Sequence, residues 1–155
     1  MTVVINGSPN KDGFTKKIIE STVKEDYIDI NAYLETIKAC DDCKYCNTLP
    51  GCKWDDMDYI YDLLSKCDKL VIASPLYFGA LSSKLHNIIT RFQTFYSQKY
   101  YRKVDMFQIK ESVLIVTAGG EYPDMFNGPI ATMKILNMLF RVEKYTEVFK
   151  SNTDK

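Results

Sequence analysis

The first residues of the chain, 2–15, read TVVINGSPNKDGFT and decide which fold the rest can adopt. The uncharged run at 3–6 has no apolar–polar alternation, which is typical of a strand buried on both faces of a sheet. A glycine-bearing loop ends this run, and a helical pattern begins at Phe14. Two further runs of the same kind, at 70–74 and 112–117, also end in loops that contain glycine or proline. The sequence therefore predicts three buried strands that end in loops.

Between and after these strands lie stretches whose apolar residues are spaced three and four apart, which indicates helices. The four helical stripes lie at 14–23, 57–64, 81–92 and 130–140. Weaker strands are expected at 27–31 and 145–149. Strands that alternate with helices form right-handed crossovers and a parallel sheet covered by helices. Five strands favour an α/β three-layer sandwich with the flavodoxin-like strand order 2-1-3-4-5.

Two local features carry specific expectations. We expect Asp55 to cap the second helix, with Asp58 adding negative charge to its first turn. The chain stops at Lys155, soon after the fifth strand, so the usual closing helix is expected to be missing. Part of one sheet face would then be bare and apolar, which predicts a homodimer or homotetramer.

Composition and charge exclude several classes of protein. The 155 residues fit one domain, residues 1–155, and 46% hydrophobic with 26% charged residues is ordinary for a globular chain. Lys+Arg and Asp+Glu both number 20, so zero net charge argues against nucleic acid or an anionic membrane as main partner. The basic, aromatic stretch 99–103 is therefore interpreted as a solvated loop, a lid or a dimer contact. No signal peptide or transmembrane run is visible, so we expect a cytoplasmic protein.

The loop after the first strand leads directly into a helix. Backbone N–H groups at a helix N-terminus bind anions such as phosphate, and Ser8, Asn10 and Thr15 add side-chain donors there. The loop is not a nucleotide P-loop, because no Gly-Lys-Ser/Thr follows Gly7 at the required spacing. A plain strand-to-helix turn remains the alternative interpretation.

The loops after the other two buried strands favour a flat aromatic ligand. Residues 75–79 place Tyr77 and Phe78 beside a proline and a glycine, and aromatic ligands prefer such planes together with main-chain donors. The alternative is that both rings fill the core. Residues 117–120 carry almost no side chain, so their backbone can approach a ligand closely.

The cysteines are crowded into one short segment. Cys40, Cys43, Cys46 and Cys52 follow one another with two, two and five residues between them. Zinc prefers two separated pairs, whereas this compact spacing suits a [4Fe–4S] cluster. The alternative is a set of buried or redox-active free thiols. Cys67, on the apolar side of the second helix, is expected to be packed in the core.

These motifs together resemble the NAD(P)H-dependent FMN reductases of the flavodoxin-like superfamily, including their iron–sulfur flavoprotein branch. The resemblance rests on Gly-Ser-Pro-Asn at 7–10 with Thr15, on Gly-Cys at 51–52 followed by Asp-Asp-Met at 55–57, and on residues 74–78. It implies FMN bound without a covalent bond. The residues implied to hold the phosphate are Ser8, Asn10, Gly13, Phe14 and Thr15. Those implied to hold the isoalloxazine are Pro75, Leu76, Tyr77, Phe78, Gly79, Thr117, Ala118, Gly119 and Gly120.

The chain departs from this family pattern on the third helix. Relatives often carry a lysine and later Asp-Arg there, whereas this chain has His86 and then Thr90-Arg91. Any ion pair made by that aspartate is lost, although Arg91 persists. His86 is the only histidine and is expected to be structural.

The function that the resemblance implies is an FMN-dependent NAD(P)H oxidoreductase. Hydride from NAD(P)H would reach the bound flavin, and electrons would pass on to a small-molecule or protein acceptor. No side chain is assigned a catalytic role, because the cofactor carries the chemistry. Two alternatives remain: an iron–sulfur flavoprotein electron carrier that uses the four cysteines, and a non-catalytic flavodoxin-like module that senses redox state or metal.

Overall fold

A computed structural model of the protein describes residues 1–154, and its central element is one sheet of five parallel strands in the order β2-β1-β3-β4-β5. The strands are β1 (Thr2–Asn6), β2 (Tyr27–Asn31), β3 (Lys69–Pro75), β4 (Glu111–Thr117) and β5 (Lys144–Lys150). The helices are α1 (Phe14–Thr22), α2 (Asp58–Ser65), α3 (Ser83–Thr90), α4 (Gln93–Tyr100) and α5 (Asn127–Leu139). This order confirms the predicted fold class, and all five predicted strands are present.

The sheet separates two apolar clusters. On one face, side chains such as Val3, Ile5 and Ile72 pack against the helices α2, α3 and α5. On the other face, Val4 and Ile115 lie in a smaller cluster with α1. Both faces of β1, β3 and β4 are therefore buried, which explains why their sequences show unbroken apolar runs.

The predicted third helix is in fact two helices. The stripe at 81–92 is interrupted after Thr90, and a second helix, α4, runs from Gln93 to Tyr100. Apolar spacing does not indicate α4, because two of its three buried residues, Thr94 and Ser97, are polar. The stretch interpreted as a loop, lid or contact thus begins inside a helix.

The start of α2 also differs from the expectation. The residue in the cap position is Met57, whose side chain is fully buried, and no side chain caps the helix. Asp55 contributes only its backbone carbonyl, which accepts from the N–H of Asp58 at 3.2 Å. The prediction of Asp55 as the side-chain cap is therefore wrong, because burial of Met57 places the helix start two residues later.

The expectation of a bare apolar sheet face is wrong as well. Within residues 1–154 no helix follows β5, yet Val113 and Ile115 on the α1 face are 2% and 0% exposed. Their neighbours on β5 are Thr146 and Val148, exposed and half-buried respectively. The apolar part of this face is covered by α1, and the strand beyond it is largely polar. Within the same range, no helix is long and apolar enough to span a membrane.

A salt bridge at the first residue of β3 gives a pH-dependent prediction. The ammonium of Lys69 lies 2.9 Å from the carboxylate of Glu25, and its hydrogen bond lowers the pKa of Glu25 from 4.5 to about 2. A lowered folded-state pKa stabilises the fold above the ordinary pKa, and this contribution disappears as the pH falls from about 4.5 to about 2. Glu25→Gln is expected to cost less than about 1 kcal/mol at pH 7, since the pair is partly exposed.

Urea denaturation at pH 7 and at pH 2.5 checks this prediction. The difference between wild type and Glu25→Gln should shrink at the lower pH, whereas Glu20→Gln, on the exposed side of α1, should show no such trend. A difference that grows on acidification contradicts the assignment.

Candidate functional site

Three loops meet at the edge of the sheet where the strands β1, β3 and β4 end. Two backbone hydrogen bonds tie them together: Gly7 N–H donates to Ala73 O at 2.7 Å, and Leu76 N–H donates to Thr117 O at 2.7 Å. The structure therefore brings together the three loops that the sequence had proposed as one site. This edge includes the switch point between β1 and β3, where open α/β sheets bind ligands.

The loop between β1 and α1 is folded by its own side chains. The amide of Asn6 accepts from Ser8 N–H at 2.9 Å, and Ser8 Oγ both donates to Asn10 O and accepts from Asn10 N–H, at 3.2 Å each. Asn10 Oδ1 in turn accepts from Asp12 N–H at 3.1 Å. Ser8 is buried and Asn10 is exposed. Their role in the structure is to shape the loop around the helix start.

The N-terminus of α1 is available to an anion. Its cap residue, Gly13, makes no side-chain cap bond, and the first turn contains no acidic residue. The first amides of a helix have no intrahelical partner, so those of Phe14 and Thr15 are free to bind a ligand. A side chain at Gly13 would crowd that of Asn10, which lies 3.1 Å from the position of a Cβ.

Two buried threonines connect this loop to β4. Thr15 Oγ1 and Thr117 Oγ1 lie 2.8 Å apart, and the two residues are 3% and 4% exposed. Two hydroxyls share two protons, and their mutual hydrogen bond uses only one of them. The second proton remains for another acceptor. The sequence placed both residues in the site but gave no indication that they touch.

The loop after β3 is a tight hairpin turn that presents aromatic rings to solvent. Tyr77 and Ala80 exchange two backbone hydrogen bonds at 2.9 and 3.0 Å. The two residues between them, Phe78 and Gly79, both have positive φ, 49° and 75°, as in a type I′ turn. Tyr77 is 45% exposed and Phe78 is fully exposed, so neither ring fills the core. The core-filling alternative is thereby excluded.

The start of α5 supports this hairpin. A Cβ on Gly128 would lie only 2.1 Å from the carbonyl oxygen of Gly79, so the turn rests directly on the helix backbone. The hydroxyl of Tyr122 lies 3.7 Å from the position of a Cβ on Gly79. Sequence reasoning missed Gly128 and Tyr122. For Gly128, the one sequence feature that could have indicated this contact is a glycine in the first turn of a helix, where glycine does not favour helix formation.

The loop after β4 is held by the last described residues. The carbonyls of Ala118, Gly119 and Gly120 accept backbone hydrogen bonds from Thr153, Asp154 and Asn152, at 3.0, 3.3 and 3.3 Å. The carboxylate of Asp154 occupies the space where a side chain at position 119 would lie, since a Cβ on Gly119 would be 2.0 Å from it. A Cβ on Gly120 would meet only open space. Of the two glycines, Gly120 is therefore the one that leaves room for a ligand.

The strain in the hairpin turn gives a stability prediction. A non-glycine residue in the left-handed region costs roughly 1–2 kcal/mol, and Asn-Gly is a preferred pair for such a turn. Phe78→Asn is therefore expected to raise the free energy of unfolding by about 1 kcal/mol, since the exposed ring contributes no burial. Thermal denaturation without ligand measures this gain. Leu34→Asn, at an exposed site with no strained φ, is the control, and a loss of stability in Phe78→Asn contradicts the strain.

The cysteine loop, defined as residues 38–56, lies against α3 and α4. Cys40, Cys43, Cys46 and Cys52 all line one cavity of about 20 Å³. This is room for about one water molecule. Cys46 makes a hydrogen bond to Ser97 Oγ at 3.3 Å, while Cys43 is exposed. Within residues 1–154, no three ligating side chains converge as a metal site. The donor set has the chemistry of a cluster site, but its sulfurs do not converge.

Two other singled-out residues lie outside the site. Cys67 is 3% exposed, and burial raises the pKa of its thiol to about 11, so it stays protonated at neutral pH. This confirms that it is packed in the core. His86 is half-buried on α3.

Comparison with known sequences identifies the family. The sequence profile described as NADPH-dependent FMN reductase matches residues 1–142. The chain belongs to this family. The FMN reductase assignment made from the loop motifs is thereby confirmed.

Curated relatives carry the name iron-sulfur flavoprotein. The chain is 28% identical over 112 residues to one from Clostridioides difficile strain 630, covering 64% of this chain and 49% of the relative. It is 28% identical over 130 residues to one from Archaeoglobus fulgidus, covering 79% of this chain and 64% of the relative. The chain thus spans about half to two thirds of the length of these relatives.

Solved structures show the same fold at low identity. The Trp repressor binding protein of Bacillus subtilis superposes with a TM-score of 0.70 at 20% identity, covering 97% of this chain and 86% of the other. An NAD(P)H:quinone oxidoreductase from Methanothermobacter marburgensis gives a TM-score of 0.70 at 17% identity, covering 97% and 83%. An FMN-dependent NADH-azoreductase from Bacillus anthracis, in complex with FMN, gives 0.65 at 16% identity, covering 98% and 87%.

Proposed function

We propose that the protein binds FMN across the three loops and acts as an NAD(P)H-dependent oxidoreductase. The observation that carries this proposal is the free N-terminus of α1, which the buried Thr15–Thr117 pair joins to the end of β4. A site for an anion and a site for a flat aromatic ring then lie at the same edge of the sheet. FMN has a phosphate at one end and an aromatic ring at the other, and membership of the FMN reductase family supports the same cofactor.

The residues present fit each part of the cofactor. The first amides of α1 and the spare hydroxyl proton of the threonine pair suit the phosphate. Among residues 1–154, no hydrogen bond is donated by the N–H groups of Phe78, Gly79 or Gly120. These amides suit the polar rim of the ring, and Tyr77 offers an adjacent aromatic plane.

FMN, when bound, supplies a ring that accepts hydride and passes electrons on. The role of the chain itself is to bind FMN and to orient its ring. The hairpin at 77–80 fixes its amides by two backbone hydrogen bonds and by contact with Gly128. Because the cofactor carries the chemistry, we assign no side chain as an acid or base. The exposed rings of Tyr77 and Phe78 leave the outer side of the site open to a second substrate.

The test is reconstitution followed by rapid mixing. Protein purified without oxygen is incubated with FMN, and the flavin bands and fluorescence are recorded. NADH or NADPH is then mixed with the complex, and flavin bleaching is followed by stopped flow. Bleaching by either nucleotide supports the oxidoreductase. If the protein never retains FMN, the whole proposal is overturned. If it binds FMN but neither nucleotide bleaches the flavin, the proposed oxidoreductase activity is overturned.

A second candidate function is that of an electron carrier with an iron–sulfur cluster in the cysteine loop. It is favoured by the four thiols around one cavity and by the names of the curated relatives. Since the sulfurs do not converge in the structure, no electron-transfer step is derived through them. Acid-labile sulfide with broad visible absorption supports the carrier. If the thiols bind metal but the protein does not bind FMN, the non-catalytic module that senses redox state or metal is supported instead.

We also propose that the protein self-associates, through the surface of α4 and α5 rather than the sheet face considered first. Tyr96, Ile135 and Met138 are 43%, 61% and 64% exposed there. Large apolar patches on a surface mark interaction sites. Light scattering gives the mass in solution, and a monomer at high concentration contradicts this proposal.

A further inference from the structure

A second cavity lies beside the three-loop site, between α1 and the ends of β1 and β2. Its volume is about 290 Å³. This is at the lower end of the range for small-molecule sites, so the cavity suits one part of a ligand rather than a whole cofactor. Its lining combines cations, carboxylates, an amide and an apolar side chain: Asn6, Lys11, Lys16, Asp29, Leu34 and Glu35.

The side-chain amide of Asn6 brings an unused donor to this cavity. Asn6 is 2% exposed, and its Oδ1 accepts from the N–H of Ser8 at 2.9 Å. Among residues 1–154, the Nδ2 of Asn6 donates no hydrogen bond, and it is not sealed off from the cavity. A donor left unpaired in a protein interior costs about 1–3 kcal/mol. Its place in the cavity wall therefore favours an acceptor that comes from a ligand.

The cavity also has one free charge of each sign. Lys16 is neutralised, because its ammonium lies 2.9 Å from the carboxylate of Asp29. Neither Lys11 nor Glu35 makes an ion pair with any residue that the structure describes. Glu35 is half-buried, and burial together with a hydrogen bond to Glu35 raises the pKa of the Tyr59 hydroxyl. The free carboxylate is therefore held in place by a neighbour.

This set of groups has the chemistry that binds a ribose phosphate. An ammonium and an amide donor bind phosphate oxygens. A carboxylate accepts hydrogen bonds from ribose hydroxyls, as the acidic residue of dinucleotide-binding folds does. Leu34 is 69% exposed and offers an apolar surface to a base. The same carboxylate repels a second phosphate on the ribose, so the lining suits a ribose with a free 2′-hydroxyl.

The cavity is close enough to the proposed flavin site for one substrate to occupy both. Lys11 belongs to the loop between β1 and α1, which borders the cavity and the three-loop site alike. Across the sheet, β2 and β3 are two strand spacings apart, about 10 Å. A dinucleotide carries its two nucleosides on a pyrophosphate, so its nicotinamide and its adenosine can lie in separate places.

We propose that this cavity binds the adenosine end of a pyridine nucleotide and selects NADH over NADPH. Lys11 and Asn6 hold the phosphate, Glu35 holds the ribose hydroxyls, and the base lies against Leu34. The family description names NADPH, so this preference belongs to the residues of this chain. The inference rests on the proposed oxidoreductase function, because it names the nucleotide that this function uses.

The first experiment measures binding at the cavity without any redox step. The complete chain, with and without FMN, is titrated calorimetrically with 5′-AMP and with 2′,5′-ADP. Wild type should bind 5′-AMP about 10-fold more tightly, because the added phosphate faces the carboxylate. Lys11→Gln should weaken 5′-AMP binding about 10-fold, through loss of a charged hydrogen bond. Lys24→Gln removes the same charge from an exposed residue beyond α1 and should change neither affinity.

The second experiment follows flavin bleaching by stopped flow at increasing NADH or NADPH. Glu35→Gln should lower the Kd of NADPH about 10-fold, because the repulsion is removed. It should raise the Kd of NADH about 5-fold, since a neutral amide is the weaker acceptor. The bleaching rate at saturating nucleotide should stay the same, as the reacting rings are untouched. Asp26→Asn, at an exposed acid just before β2, is the control and should leave both Kd values unchanged.

The possible failures can be told apart. If 5′-AMP does not bind, or binds no better than 2′,5′-ADP, the inference is overturned. If both nucleotides bleach the flavin with equal Kd values in wild type and in Glu35→Gln, the inference fails and the oxidoreductase function stands. If neither nucleotide bleaches bound FMN, the proposed function and this inference fall together.

Discussion

Ser8→Ala combined with Thr15→Val is expected to weaken FMN binding by about 100-fold, because one hydrogen bond to a charged group is lost with Thr15, at about 1.5 kcal/mol, and a similar amount is lost when the amides of α1 are misplaced. The two residues act differently. Thr15 belongs to the buried hydroxyl pair that retains a spare proton beside the free amides of α1. Ser8 fixes the path of the loop through its two bonds to Asn10, so its loss misplaces those amides.

The measurement is fluorescence titration of the FMN-free protein with FMN and, in parallel, with riboflavin. Because the affected groups suit a phosphate, affinity for FMN should fall far more than affinity for riboflavin. Ser21→Ala with Thr22→Val makes the same chemical changes at the other end of α1 and should leave both affinities unchanged. FMN affinity within 3-fold of wild type in the Ser8 and Thr15 variant excludes a phosphate at this helix.

Local sequence patterns predicted the strands and their loops well because those features depend on nearby residues. The run at 3–6 shows no alternation of apolar and polar residues, since both faces of β1 are covered. The loop that follows begins where β1 ends, and it therefore lies at the carboxyl edge of the sheet. The same reasoning failed for α4, whose buried Thr94 and Ser97 look solvent-exposed in a pattern of apolar spacing. Their hydroxyls are buried because they bind the cysteine loop.

Contacts between distant residues could not be read from the sequence. The spacing of the four cysteines indicates what kind of group they suit, but it does not show that Arg91, 39 residues beyond Cys52, binds the backbone at both ends of their loop. The pairing of Thr15 with Thr117 likewise depends on how α1 and β4 lie in the sheet. A glycine such as Gly128 shows its importance only when the neighbouring turn is in place.

Gly128→Ala is expected to damage both the fold and the flavin site, although alanine is normally the better helix former. A helix gains up to about 1 kcal/mol from this exchange. Here the new methyl group would lie 2.1 Å from Gly79 O, and the obstacle is backbone in a hairpin held by two hydrogen bonds. Either the turn or α5 must shift, so we expect a net loss of about 1–3 kcal/mol in the free energy of unfolding.

The displaced turn carries the free amides of Phe78 and Gly79, and FMN affinity should therefore fall at least 10-fold. Urea denaturation and FMN titration measure the two effects. Asn127→Ala, one residue earlier in the same helix and exposed, is the control and should change neither quantity. If Gly128→Ala were more stable than wild type, helix propensity would outweigh the contact. If it lost stability but kept its FMN affinity, the hairpin would not hold the flavin ring, and the isoalloxazine site would have to lie away from residues 77–80.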